Sequence, residues 1–107
     1  MDQDLLIHPG EILKEEFLEP HELNPHQLAT KLGVPPNAIT AIVNGTRGIS
    51  GPMSKVLGHA FGVSEDFFAS LQMRYELDLA TIDAGTDEKA AERLRRADEL
   101  ARELCVA

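Results

Sequence analysis

The stretch Asn24-Pro-His-Gln-Leu-Ala-Thr-Lys-Leu-Gly33-Val-Pro-Pro-Asn-Ala-Ile-Thr-Ala-Ile-Val-Asn44-Gly-Thr-Arg47 reads as two short helices joined by a glycine turn. Asn24 is a start signal, because its side-chain oxygen accepts a backbone N–H, and Pro25 already has a helical φ. Leu28 and Leu32 lie four apart on one face, with Ala29 beside them. Gly33 supplies the left-handed residue that ends the helix. Val34 plugs the turn into the core and Pro35-Pro36 restarts a helix of about 36–44. Ile39, Ile42 and Val43 face inward at spacings of three and four. Pro36, Asn37, Ala38, Thr40 and Ala41 are left for the outer face, short and polar enough to enter a major groove.

Such a hairpin also suits a purely structural corner between helices. Charge favours the groove-facing reading. The chain carries a net charge of −8, which by itself argues against a polyanionic partner. The charge is uneven, however. Residues 1–30 hold seven carboxylates against Lys14, whereas residues 31–63 hold Lys31, Arg47 and Lys55 and no Asp or Glu. A phosphate-facing surface needs such a stretch, since nearby carboxylates would repel it.

Within this surface, Asn37 and Thr40 are the groups expected to read base edges, since Asn bonds adenine bidentately. Pro36, Ala38 and Ala41 offer apolar contact to a thymine methyl. Asn44 and Gly45 fit a left-handed cap and turn ahead of Arg47. His26 and Gln27, at the start of the first motif helix, are candidate phosphate contacts, and Lys31 and Lys55 add long-range attraction.

Four blocks in one register resemble the HigA/VapI-type antitoxins of the Xre helix-turn-helix superfamily. They are Ile7-His-Pro-Gly-Glu-Ile-Leu-Lys-Glu-Glu-Phe-Leu-Glu-Pro20, Gly33-Val-Pro-Pro-Asn-Ala-Ile39, Ile42-Val-Asn-Gly-Thr-Arg-Gly-Ile49 and Ser64-Glu-Asp-Phe-Phe-Ala-Ser-Leu-Gln-Met-Arg-Tyr-Glu-Leu77, covering about residues 7–80. The resemblance implies an all-α, five-helix Xre/lambda-repressor-like domain that binds a double-stranded operator and represses its own operon. It also implies a homodimer and a RelE-like ribonuclease toxin of HigB type as partner. Arg47 resembles the family's backbone-binding Arg. Pro25, Pro35, Ala38 and Thr46 depart from the family pattern by removing cations and a phosphate-binding amide. Each lost phosphate contact flattens the salt dependence by roughly 0.9 log units per log unit of salt. Two alternatives stay open beside the antitoxin reading: a stand-alone Xre-type regulator, and an interaction module of this fold that has lost DNA binding.

The rest of the chain predicts one helix-turn-helix domain over 1–80, with a linker and C-terminal helix over 81–107. At 107 residues and 43% apolar, the chain supports one core, mainly aliphatic because there is no Trp. Met1–Ile7 reads as an extended arm. His8-Pro-Gly-Glu11 caps a helix running from Pro9 to about Leu18, ended by Pro20. A fourth helix from Ser50 to Phe61 carries the stripe Met53, Val56, Leu57, Ala60 and Phe61, although Lys55, where the family generally has Leu, suggests a shifted or rotated helix. Ser64 is expected to cap a fifth helix with Phe67, Phe68, Leu71 and Tyr75 inside. Thr81-Ile-Asp-Ala-Gly-Thr86 reads as the linker.

The last helix, Asp87 to Val106, places Ala90, Leu94, Ala97, Ala101 and Leu104 at 4-3-4-3 spacing. This heptad-like seam either pairs across a dimer or folds back on its own domain. With Leu77 and Leu79 it forms the candidate dimer surface. Its arginines alternate with glutamates and read as a solvated face. Glu11, Glu15, Glu16, Glu19 and Glu22 are a candidate toxin-binding surface, because a ribonuclease that holds RNA needs cations; plain solubility explains the same run.

His8, His21, His26 and His59 show no i, i+4 ligand pair and there is no Cys-x-x-Cys, so neither metal nor cofactor is expected. No nucleophile elbow or Gly-rich phosphate loop is present, which argues against an enzyme. The single Cys105 forms no internal disulfide and is expected to be a reduced thiol. With no apolar run near the roughly 20 residues of a membrane span, and no signal-peptide pattern, a cytoplasmic, nucleoid-associated location is expected.

Overall fold

The computed structural model describes residues 6–104. The expected N-terminal arm and Cys105 fall mainly or wholly outside that range. Among the described residues every regular element is a helix: α1 Pro9–Ile12, continued by a π-helical turn Leu13–Leu18, then α2 Pro25–Leu32, α3 Pro36–Val43, α4 Gly51–Phe61, α5 Phe67–Thr86 and α6 Glu88–Glu103. The chain divides into two compact units, one spanning Ile7–Glu76 and a C-terminal one beginning at Leu77.

The first unit holds the core. Leu13, Leu18, Leu28, Ala29, Ile39, Ile42, Ile49, Leu57 and Phe68 are buried together, with Phe17, Val34, Phe61 and Leu71 packed around them. The expectation of a regular first helix is corrected here. After Ile12 the helix widens, and the Glu19 N–H bonds the Lys14 carbonyl at 2.9 Å, five residues back. In a regular helix Leu13 and Leu18 would point about 140° apart; the wider turn buries both. Phe17 then meets Phe61 and Phe68 with ring centroids 5.1 Å apart in each pair, joining this segment to α4 and α5.

Helix α4 starts as expected, with the Ser50 hydroxyl accepting the Met53 N–H at 3.3 Å. Its inner face is turned from the expected stripe. Val56 and Ala60 are exposed, while Ser54, Leu57 and Gly58 are buried. Two tertiary features hold this rotation. A Cβ on Gly58 would lie 2.6 Å from the Ser64 carbonyl oxygen, so only glycine permits the approach. The buried Ser54 hydroxyl donates to the Glu65 carbonyl at 2.7 Å and accepts the Ala69 N–H at 2.8 Å. Both capacities of the hydroxyl are thereby satisfied, which removes the cost of burying it.

Two boundaries also change. The fifth helix begins at Phe67, preceded by a turn in which the Phe67 N–H bonds the Ser64 carbonyl at 3.1 Å. The predicted linker 81–86 is helical, because α5 runs unbroken to Thr86. Thr81 donates its hydroxyl to the Leu77 carbonyl at 3.0 Å, and the break comes at Asp87, whose carboxylate accepts the Lys89 N–H to start α6.

Candidate nucleic-acid interface

The helix-turn-helix is built from local chemistry. Asn24 accepts the Gln27 N–H at 2.7 Å while Gln27 Oε1 accepts the Asn24 N–H at 2.9 Å, a reciprocal capping box. Gly33 ends α2 at φ +72°, a left-handed conformation that glycine adopts without strain. The Val34 N–H returns to the Ala29 carbonyl at 3.0 Å, tucking the turn against α2 before Pro36 opens α3. Pro35 leaves α3 with no side-chain cap.

A second clamp fixes α3 from the other side. Gly10 packs its Cα against the end of α3, where an added Cβ would lie 1.9 Å from the Ile42 carbonyl oxygen. His8 caps α1 with Nδ1 accepting the Gly10 N–H at 2.9 Å. The His8 ring meets Tyr75 edge-on, with centroids 4.9 Å apart. Burial pushes the His8 pKa down, opposed by the nearby Glu11 carboxylate. Gln72 of α5 completes the frame, its Oε1 accepting the Ile49 N–H at 2.9 Å below the loop that carries Arg47. Neither Gly10 nor Gln72 was singled out from the sequence. The first is visible only as a glycine inside a helix start, and nothing in the sequence marks the second.

The expected groove-facing set is partly assembled. Pro36, Asn37, Thr40, Asn44 and Arg47 are exposed, as are His26 and Gln27 at the start of α2. Ala38 is corrected: it is 8% exposed, because it lies four residues before Ile42 and shares its buried face. Ala41 is half-buried. Asn44 keeps ordinary helical angles, and the left-handed residue is Gly45 alone, at φ +81°. The Thr40 hydroxyl donates to the Pro36 carbonyl at 3.1 Å, and Thr46 likewise to Ala41 at 3.2 Å. The carboxylate-free charge map is also less clean in space. Glu65 sits 3.6 Å from Lys55 and 2.7 Å from His59, so Lys55 is locally balanced. The His59 hydrogen bond is the main cause that holds the Glu65 carboxyl below its ordinary range, with Lys55 adding to it.

The acidic candidates Glu11, Glu15, Glu16, Glu19 and Glu22 are all exposed. They lie on α1, on its π turn or just beyond; Glu22 holds a positive φ of 54°. Their separation from α3 along the sequence is not separation in space, because α1 packs directly on α3. Of the candidate dimer residues, Leu77, Leu94 and Leu104 are 52%, 57% and 64% exposed, Ala97 is exposed, and Leu79, Ala90 and Ala101 are half-buried. Among the described residues no cluster of His, Cys, Asp and Glu could hold a metal, and no helix is long and apolar enough to cross a membrane.

A capped helix, a left-handed glycine turn and a second helix with an exposed polar edge define a helix-turn-helix protein. The chain belongs to the helix-turn-helix family whose model matches residues 14–68, a family of transcriptional regulators and antitoxins rather than enzymes. It is 42% identical over 77 residues to virulence-associated protein I of Dichelobacter nodosus, covering 72% of this chain and 71% of that protein. It is 33% identical over 102 residues to the uncharacterized HTH-type transcriptional regulator YbaQ of Escherichia coli, covering 90% of each. Among solved structures, Pseudomonas aeruginosa antitoxin HigA with the higBA promoter superposes with a TM-score of 0.72 at 41% identity, over 76% of this chain and 88% of that one. The resemblance to HigA/VapI-type antitoxins read from the four sequence blocks is borne out.

Proposed function

We propose that this protein binds an operator in its own promoter and acts as the antitoxin and autorepressor of a HigBA-type operon. The observation that carries the reading is the exposed Asn37–Thr40 edge of α3, presented by a helix-turn-helix whose solved relative holds promoter DNA. In this reading Asn37 and Thr40 face base edges, while Arg47, Gln27 and His26 hold phosphates. Gln27 Oε1 is committed to the Asn24 N–H, so its amide NH2 is the group that donates to phosphate. The exposed carboxylates of α1 and its π turn face a basic ribonuclease partner, whose positive surface they complement. The protein acts in the cytoplasm on the nucleoid.

Two copies are needed. One α3 presents too few base-reading groups to select an operator, whereas a two-fold dimer places two recognition helices about 34 Å apart, one turn of DNA. Leu77 together with Leu94 and Leu104 supplies exposed apolar surface for that pairing.

A second reading, a regulator with no toxin, is favoured by the match to YbaQ over nearly the whole chain. Co-expression with the product of the adjacent gene separates the two. The antitoxin reading expects a stable complex and relief of growth arrest; a regulator alone gives neither. If a fragment of the protein's own promoter is also not bound at low salt, the shared DNA-binding premise is wrong.

A further inference from the structure

We propose that the recognition helix reads an A·T step in the major groove and lacks the cationic two-donor reader that selects guanine, with Asn37 selecting adenine and the Thr40 methyl selecting an adjacent thymine. The inference rests on the operator-binding reading above and specifies its ligand.

Helix α3 offers few groups to a base edge. The exposed positions of the helix are Pro36, Asn37 and Thr40, followed by its cap Asn44. Asn37 and Thr40 lie three apart and share one edge. Guanine presents two acceptors, N7 and O6, and the usual reader is an Arg or Lys that supplies two donors. No cation stands anywhere on Pro36–Val43. Thr40 cannot stand in as a donor, because its one hydroxyl proton is given to the Pro36 carbonyl at 3.1 Å. What Thr40 can present is an oxygen able only to accept, and its methyl group. Apolar contact with the thymine C5-methyl is the pairing that suits it. Ala38, the other small apolar candidate, is buried on the Ile42 face and out of reach. The Asn37 amide carries one acceptor and one NH2, the pattern that matches adenine N6–H and N7 together. The edge therefore fits adenine beside thymine, and specificity should come from a few such steps repeated in each half-site.

Base analogues test this atom by atom, using the full-length protein and a duplex selected from a random pool. Replacing the contacted adenine by 7-deazaadenine should weaken binding about fivefold or more, and replacing the contacted thymine by uracil should weaken it by a smaller factor. Replacing guanines in the half-site by 7-deazaguanine should leave affinity unchanged. Asn37→Ala should abolish sensitivity to 7-deazaadenine. Thr40→Ser, which keeps the hydroxyl bonded to Pro36 and removes only the methyl, should abolish sensitivity to uracil. A selected duplex that loses affinity with 7-deazaguanine, or a thymine effect that survives in Thr40→Ser, overturns the proposal while leaving operator binding intact. A pool that yields no preferred sequence overturns the operator reading itself.

Discussion

Gly10 and His8 show how much of the recognition surface depends on two residues outside it. Gly10 lets α1 lie on the Ile42 carbonyl, with no room for a Cβ at 1.9 Å. Gly10→Ala must therefore push α1 off α3 or strain both. We expect a loss of about 2 kcal/mol or more, seen in thermal denaturation as a fall of roughly 8 °C or more. His8 adds a pH dependence. Its Nδ1 accepts the Gly10 N–H, which requires the unprotonated ring, and burial lowers its pKa in the folded state. The unfolded chain then binds the proton more readily than the folded one. Stability from His8 is fully present above about pH 6.5 and is lost as pH falls from there through the lower folded value. His8→Asn keeps a capping oxygen without the titration. Denaturant melts of the two proteins from pH 7.5 to 5 should diverge in slope, the wild type losing more. Parallel curves would show that the ring does not titrate as described.

At the scale of elements, what could be read in advance was whatever a few neighbouring residues determine. The Asn24 box, the Gly33 turn, the Ser50 cap and the α6 start at Asp87 are local, and the structure has all four. The exposure of Asn37, Thr40 and Arg47 was legible for the same reason, since it follows from helix periodicity and the turn. Ala38 was misplaced on the outer face, although its four-residue offset from the inward Ile42 puts it on the buried side. Lys55 hinted at a rotated α4, but which residues turn inward was not legible, since that is held by the backbone around Ser64 and Glu65 approaching Gly58 and Ser54. The π turn was hidden because Leu13 and Leu18 share a face only after the helix has widened.

The segment 81–86 misleads in another way. Gly85 and two threonines look like breakers, yet Thr81 satisfies its hydroxyl within the helix and Gly85 sits in open space. A glycine in a helix costs about 0.5–1 kcal/mol relative to alanine. Gly85→Ala should then raise ellipticity at 222 nm and stabilise α5 by a similar amount. A flexible linker at this point would respond to the change in neither readout.

For the whole molecule, an acidic chain that approaches DNA must do so through a small, locally basic surface. The exposed cation expected to hold phosphate is Arg47, while Lys55 is partly neutralised by Glu65. Few phosphate contacts per copy mean a shallow salt dependence and a strong need for pairing. Removing everything after Thr86 deletes Leu94 and Leu104, and should lower both the mass in solution across a concentration series and operator affinity. A seam folded back on its own chain would leave the mass that of a monomer in both proteins.

The central claim, that α3 reads bases while Arg47 holds the backbone, is tested most directly by fluorescence anisotropy of Arg47→Ala and Asn37→Ala on operator and on scrambled duplex. Arg47→Ala should weaken both duplexes by a similar factor and reduce the salt slope by about 1. Asn37→Ala should cost about 1–3 kcal/mol on the operator and almost nothing on the scrambled duplex. Unchanged operator affinity in both variants, against a wild type that binds, would place the DNA site elsewhere on the molecule.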